Sequence, residues 1–369
     1  MATYAKSHSY NHQYEVIDFS ANINPLGPSQ RGLSALESQL RYISHYPDAT
    51  NDDILNAIAD IYGMNKNQIV VGNGAAELLY AICRLPGYTG AFVPAPGFSE
   101  YKAALEASRI PVRDIYYRPR EDEHGKPYFE VPYLALETFA AELKGQDGRI
   151  IVFLGNPNNP DGTLLDKNHI RTIASMLKDA NSLLVIDESF IDFVGNDTLQ
   201  DNEYSMRSLV NEFDNIIVVH SFTKFYAVPG LRIGAAFSNP LIIEQLNSFI
   251  PTWSVNTLAQ SYTEAALNDV EYVKRTKQVL HEEQLFMYNS LDTIDGITIY
   301  PPSANFMLFH IEQEGITAES INEALKKYNM IVRNCDSYMG LNNQWVRVAI
   351  KDHDTNVKLV EKLTDILKV

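Results

Sequence analysis

Cysteine is nearly absent: there are two in 369 residues, Cys83 and Cys335, far apart and without CxxC spacing. That argues against a disulfide framework and makes a reducing, cytoplasmic setting the expectation. No stretch approaches the roughly 20 apolar residues of a membrane span. The opening residues 1–8 lack the apolar run of a secretory leader. Positive charge is also scarce, with 30 Lys and Arg against 46 Asp and Glu and a formal net charge of −16. Such a field opposes nucleic acid and anionic membranes, so neither is an expected partner. An anionic small molecule would need a local cluster of Arg, His or backbone N–H groups set against it. No metal site is expected either. His281-Glu282-Glu283-Gln284-Leu285 is not HExxH, and His8 and His12 lack a third ligand. No local Ser-His-Asp signature stands out.

What is present is ordinary globular composition, 45% hydrophobic and 21% charged, in a length that suggests about two domains. Continuous apolar runs of strand length occur at 68–71, 149–154, 183–187 and 216–220, and a helical pattern covers 75–85. Buried parallel strands read this way because helices cover both sheet faces. The alternation predicts a three-layer αβα domain with a mostly parallel sheet over about 45–245. Beyond residue 251 the pattern changes. An amphipathic stretch at about 257–291 leads to a strand at 297–300, a helix at 318–328, a strand at 346–350 and a last helix from about 354. This predicts a smaller α+β domain over 246–369, to which residues 1–44 return. Residues 139–143 read as core.

The chemistry concentrates in Ser221-Phe222-Thr223-Lys224-Phe225-Tyr226-Ala227-Val228-Pro229-Gly230-Leu231-Arg232. Lys224 lies just past a strand's C-terminal end, where open α/β sheets bind ligands. Ser221 and Thr223 offer hydroxyls, and Arg232 offers a cation for a phosphate. A buried lysine with a depressed pKa is a good imine-forming amine. One lysine after a strand is more often a solvated surface residue; the whole segment tips the balance to chemistry. Gly72-Asn73-Gly74-Ala75-Ala76-Glu77 turns a strand into a helix, where free N–H groups and the helix dipole favour a phosphate. A lone GxG is weak evidence. Three further segments stand in order: Pro96-Gly97-Phe98, Asn156-Pro157-Asn158-Asn159-Pro160-Asp161-Gly162, and Leu184-Val185-Ile186-Asp187-Glu188. By themselves, Phe98 reads as core and Asp187 as a strand-end cap.

Together these segments resemble the fold-type I pyridoxal 5′-phosphate (PLP) enzymes of the class I/II aminotransferase superfamily, over almost the whole chain. The resemblance implies that Lys224 holds PLP as a Schiff base and that Asp187 pairs with its ring nitrogen. Asn159 would bond the phenolic oxygen, and Phe98 would stack on the ring. Gly74, Ala75 and Ala76, with Ser221, Thr223 and Arg232, would hold the phosphate. Tyr46, in Tyr46-Pro47-Asp48, resembles the tyrosine that crosses to the other subunit's cofactor, which implies a homodimer with shared sites.

Two branches of the superfamily compete. Asp18-Phe19-Ser20-Ala21-Asn22-Ile23-Asn24-Pro25-Leu26-Gly27-Pro28, Trp253-Ser254-Val255-Asn256 and Val332-Arg333-Asn334-Cys335 resemble the threonine-phosphate decarboxylases. Phe190 tilts the same way, since histidinol-phosphate aminotransferases usually carry Tyr there. In this resemblance Arg347 matches the carboxylate-region arginine and Arg333 the substrate-phosphate partner, with His8, Asn22 and Asn159 assisting; which of the two arginines takes which anion stays open. The implied reaction is decarboxylation of L-threonine O-phosphate to aminopropanol phosphate for the cobamide nucleotide loop, with L-serine O-phosphate as another candidate. Amino transfer to or from a histidinol-phosphate-like compound is the alternative, and a PLP-binding regulator without turnover is a third reading. Two departures bear on substrate choice: His8-Ser9-Tyr10-Asn11 replaces His-Gly-Gly-Asn, and Asp161 replaces the usual Thr.

Overall fold

The computed structural model describes residues 16–143, 148–195, 198–200 and 202–368. In chain order its strands are β1 Ile17–Asp18, β2 Ile69–Gly72, β3 Tyr88–Ala95, β4 Val112–Tyr116, β5 Arg118–Glu121, β6 Pro127–Glu130, β7 Arg149–Gly155 and β8 Leu183–Asp187. They continue as β9 Ile216–Ser221, β10 Gly234–Phe237, β11 Ile297–Tyr300, β12 Phe306–Ile311, β13 Met330–Ile331, β14 Arg333–Asn334 and β15 Trp345–Ala349.

Seven strands form one sheet in the order β2-β10-β9-β8-β7-β3-β4, with β10 antiparallel to both its neighbours and the other pairs parallel. Alternate side chains leave opposite faces, as strand geometry requires. Leu184, Ile186, Ile216 and Val218 join one core with Ile170, Ile173 and Leu177 of the helix Lys167–Asp179. Leu183, Val185, Ile217 and Val219 join another with Leu78, Leu79 and Ile82 of the helix Gly74–Ile82. The expected three layers are therefore present, and both sheet faces are dry.

A second sheet, β11-β12-β15-β14, is antiparallel throughout. Its core gathers Met307, Phe309, Val346 and Val348 with Leu359 and Leu363 of the helix His353–Leu367. Residues 17–19 lie against this part of the chain. β1 pairs in parallel with β13, and Ala349 N–H donates to Phe19 O at 2.8 Å.

Some details differ from expectation. The stretch 257–291 is two helices, Thr257–Leu267 and Val270–Leu291, because Asp269 caps the second, its carboxylate accepting from Tyr272 N–H at 3.2 Å. Residue 245 lies inside the helix Pro240–Phe249, which packs on β2, so the domain boundary we propose falls after that helix.

The parallel strands, and the antiparallel entry into β10, bring Gly72, Ala95, Gly155, Asp187, Ser221 and Gly234 to one edge of the large sheet. The candidate site lies along that edge.

Candidate active site

Lys224 follows β9 in a short helix, Phe222–Phe225. Burial first, then the cations of Arg232 and Arg347, pull its ammonium down to about 8, against the opposing carboxylate of Asp187. The turn is anchored from the N-terminal segment. Asn24 N–H donates to Lys224 O at 3.1 Å, and Asn24 Nδ2 donates to Phe225 O at 2.7 Å.

Asp187 ends β8, 6% exposed, and its two oxygens are held separately. Ser189 donates to Oδ1 from its backbone N–H at 2.9 Å and from Oγ at 2.6 Å. Tyr101 Oη donates to Oδ2 at 2.9 Å. Burial, followed by the Asp187 charge, pushes the Tyr101 hydroxyl well above its ordinary range, so it stays protonated and donates. Phe98 meets Tyr101 edge-on, with ring centroids 5.7 Å apart.

Behind this edge lies a buried polar network. Tyr62 Oη donates to Asp192 Oδ2 at 2.7 Å, His220 Nε2 lies 2.9 Å from the same oxygen, and Arg207 lies 3.7 Å from Glu188. Burial works against the Asp192 charge, but His220 and Arg207 outweigh it and hold the carboxyl below its ordinary range. Glu188 also accepts from Ser205 Oγ at 2.6 Å and from Asn156 Nδ2 at 3.2 Å. The loops after β7 and β8 are thereby tied to each other and to β9.

A cradle opens where β2 becomes the helix Gly74–Ile82. Gly74 has φ +78°, and a Cβ there would collide with the Arg232 guanidinium. At Gly234 a Cβ would come 2.7 Å from Ala75 N, so β10 and the helix start approach closely. Ser221 Oγ and Thr223 Oγ1 lie 2.8 Å apart at the neighbouring strand end. Glu77 accepts from Asn73 N–H at 2.7 Å and from Ser254 Oγ at 2.6 Å, joining the cradle to the 251–256 loop.

Opposite the cradle, the small sheet contributes arginines. Arg347, 5% exposed on β15, donates through Nη2 to Ser20 O at 2.7 Å and through Nη1 to Asn159 Oδ1 and, at 3.2 Å, to Tyr338 Oη. Arg347 Nε and Asn22 Oδ1 are buried with no hydrogen-bond partner among the described residues, which suits an anion and an ammonium donor arriving with a ligand. Arg333 on β14 donates to Ser337 Oγ at 3.0 Å.

Lys224, Asp187, Asn159, Phe98, Gly74, Ala75, Ala76, Ser221, Thr223, Arg232, Asn22, Arg333 and Arg347 thus gather around one sheet edge and the segments that face it. Tyr46 stands apart. It is 78% exposed and stacks on Trp253, ring centroids 4.4 Å apart. His8 lies outside the described residues. Sequence reasoning missed Tyr101, Tyr338 and Asn24. A tyrosine on a helix reads as core and one in a polar loop reads as surface, so only tertiary contacts mark them.

The family profile "Aminotransferase class I and II" matches residues 14–363. The chain belongs to that family, and its cofactor is pyridoxal 5′-phosphate. The glycine cradle beneath a guanidinium, the partly buried lysine and the buried carboxylate fit that group. The chain is 33% identical over 353 residues to the adenosylcobalamin biosynthesis bifunctional protein CobDQ of Leptospira interrogans. That match takes in 95% of this chain but 39% of the other protein. It is 32% identical to the threonine-phosphate decarboxylase of Salmonella typhimurium, over 96% of this chain and 92% of that one. Among solved structures, the histidinol-phosphate aminotransferase of Clostridium acetobutylicum superposes with a TM-score of 0.85 at 26% identity, covering 96% of this chain and 99% of that one. The protein is a PLP-dependent enzyme of this family. No described helix is long and apolar enough to cross a membrane.

Proposed function

We propose that the enzyme decarboxylates L-threonine O-phosphate, giving CO2 and (R)-1-amino-2-propanol phosphate for cobamide nucleotide-loop synthesis. The observation that carries this reading is Phe190. The aminotransferase branch usually carries a tyrosine at this place, whose hydroxyl supplies a second hydrogen bond to the cofactor oxygen. Here the ring is 8% exposed and packs edge-on against Phe306, centroids 5.1 Å apart, with no hydroxyl to offer. The Salmonella and Leptospira relatives support the same choice.

In this reading Lys224 holds the cofactor, Asp187 faces its ring nitrogen, Asn159 bonds its phenolic oxygen and Phe98 stacks on its ring. Gly74, Ala75, Ala76, Ser221, Thr223 and Arg232 hold its phosphate. When bound, the cofactor supplies an electron sink for the pair left at Cα. Arg347 grips the substrate carboxylate and Arg333 the substrate phosphate, with Asn22 and His8 assisting. By fixing both ends they present the Cα–carboxylate bond for cleavage rather than Cα–H, which is catalysis by orientation. The carboxylate leaves as CO2, and Lys224 Nζ, freed when the substrate amine takes its place, returns a proton to Cα.

The exposed Tyr46–Trp253 stack supports a homodimer in which Tyr46 reaches the second subunit's cofactor phosphate. Mixing Lys224→Ala and Tyr46→Ala proteins should then restore activity that each lacks, because the hybrid keeps one intact site. Unrestored activity in a verified hybrid would count against shared sites.

The reaction is tested by incubating the purified holoenzyme with L-threonine O-phosphate and, separately, with histidinol phosphate and 2-oxoglutarate. CO2 and aminopropanol phosphate from the first support the reading; glutamate from the second overturns it. L-serine O-phosphate run in parallel ranks the two phosphorylated amino acids.

A further inference from the structure

Arg333 and Arg347 are direct cross-strand partners in the β14–β15 ladder, so two cations project from the same face of the small sheet. Like charges placed opposite each other destabilise a strand pair. The two guanidinium groups have separate anchors, Ser337 Oγ for Arg333 and Ser20 O with Asn159 Oδ1 for Arg347, and Tyr338 touches both. Its hydroxyl accepts from Arg347 Nη1 and donates to Asn159 Oδ1, each at 3.2 Å. Its ring faces Arg333, whose guanidinium carbon lies 5.5 Å from the centroid, within the range of a cation–π contact. The residue is itself fixed. Tyr338 N–H donates to Cys335 O and Leu341 N–H donates to Tyr338 O, both at 3.0 Å, and the side chain is 7% exposed.

We propose that Tyr338 is a positioning residue that sets the spacing between the two arginines. It thereby selects amino acids whose carboxylate and second anion are joined by a short chain. The hydroxyl orients the Arg347 fork for the carboxylate, and the ring steers Arg333 to the more distant anion. This rests on the two-anion substrate of the preceding section, but it concerns recognition and not which bond breaks.

The two contacts are separable by mutation. Tyr338→Phe keeps the ring and removes the hydroxyl; Tyr338→Leu removes both. Binding to each holoenzyme is read from the bound-cofactor absorbance with three probes. L-threonine carries only a carboxylate, O-phosphoethanolamine only a phosphate, and O-phospho-L-threonine both. Tyr338→Phe should weaken the two carboxylate probes about tenfold, the scale of a hydrogen bond to a charged group, and leave O-phosphoethanolamine within about twofold. Tyr338→Leu should weaken all three. Equal weakening of all probes by Tyr338→Phe, selective weakening of O-phosphoethanolamine, or no change in any overturns the proposal. If the expected pattern holds while the unmutated enzyme releases no CO2 from O-phospho-L-threonine, the decarboxylase reading fails and the spacer stands. If CO2 is released and Tyr338→Phe changes nothing, the spacer fails alone. An unmutated enzyme that binds none of the probes overturns both.

Discussion

An amine that must attack an aldehyde has to be neutral, and an ordinary lysine near pKa 10.4 is almost never so at neutral pH. Lys224, drawn down to about 8 by burial and by Arg232 and Arg347, is uncharged in about a tenth of molecules at pH 7. The rate at which apo-protein captures PLP, followed by absorbance after mixing, should therefore rise about tenfold from pH 6 to pH 7 and level off above about 8. A rate still climbing at pH 10 would mean that the surroundings do not tune this amine. Tyr101 acts one bond further out. Tyr101→Phe removes the 2.9 Å donor to Asp187 but keeps the ring stacked on Phe153 at 5.3 Å. Turnover should fall about tenfold, the size of one hydrogen bond to a charged group, with the melting temperature nearly unchanged. A fall in melting temperature that accounts for the lost activity would assign Tyr101 to structure alone.

At the scale of elements, the strand-to-helix turn at Gly74 concentrates several requirements in one backbone. Its φ of +78° suits glycine, and its missing Cβ makes room for Arg232. Gly74→Ala introduces a strain of about 1–3 kcal/mol and displaces the guanidinium. PLP affinity, titrated on apo-protein, should drop at least about tenfold while the helix Gly74–Ile82 stays formed by circular dichroism. Unchanged affinity would remove the cradle from the site. Such turns were legible in the sequence because glycine and apolar runs write them locally. β7, β8 and β9 are continuous apolar runs, and Gly74, Asp187 and Lys224 stand at or just past strand ends. Strands without that signature were not foreseen. β3 carries Gly90 and Pro94, β10 is largely Gly and Ala, and β5 is the charged Arg118-Pro119-Arg120-Glu121. The helix break at Asn268 and Asp269 was hidden because two polar residues read equally well as a solvated helix face. Tyr338 was hidden for another reason: its partners Asn159 and Arg347 come from a different sheet edge and a different strand, and nothing local encodes that meeting.

At the scale of the whole molecule, a net charge of −16 surrounds a site whose local charge is positive, with Lys224, Arg232, Arg333 and Arg347 contributing. The two fields have different ranges. The global field acts on a substrate still in solvent and is screened within a Debye length of about 10 Å at 0.1 M salt. On the proposed reading Arg347, which is buried, meets the substrate directly, and its pull is screened much less. A dianionic phosphorylated amino acid should therefore approach faster as salt rises. With an inert salt, kcat/KM for O-phospho-L-threonine is expected to increase severalfold between about 0.01 and 0.1 M, where the Debye length falls from about 30 to about 10 Å. Binding of L-threonine, which has no net charge, should stay flat over the same range. A fall in kcat/KM from the lowest salt onward would mean that the arginines, not the acidic surface, dominate the path in. Parallel salt responses for both compounds would show that the net charge plays no part in substrate capture.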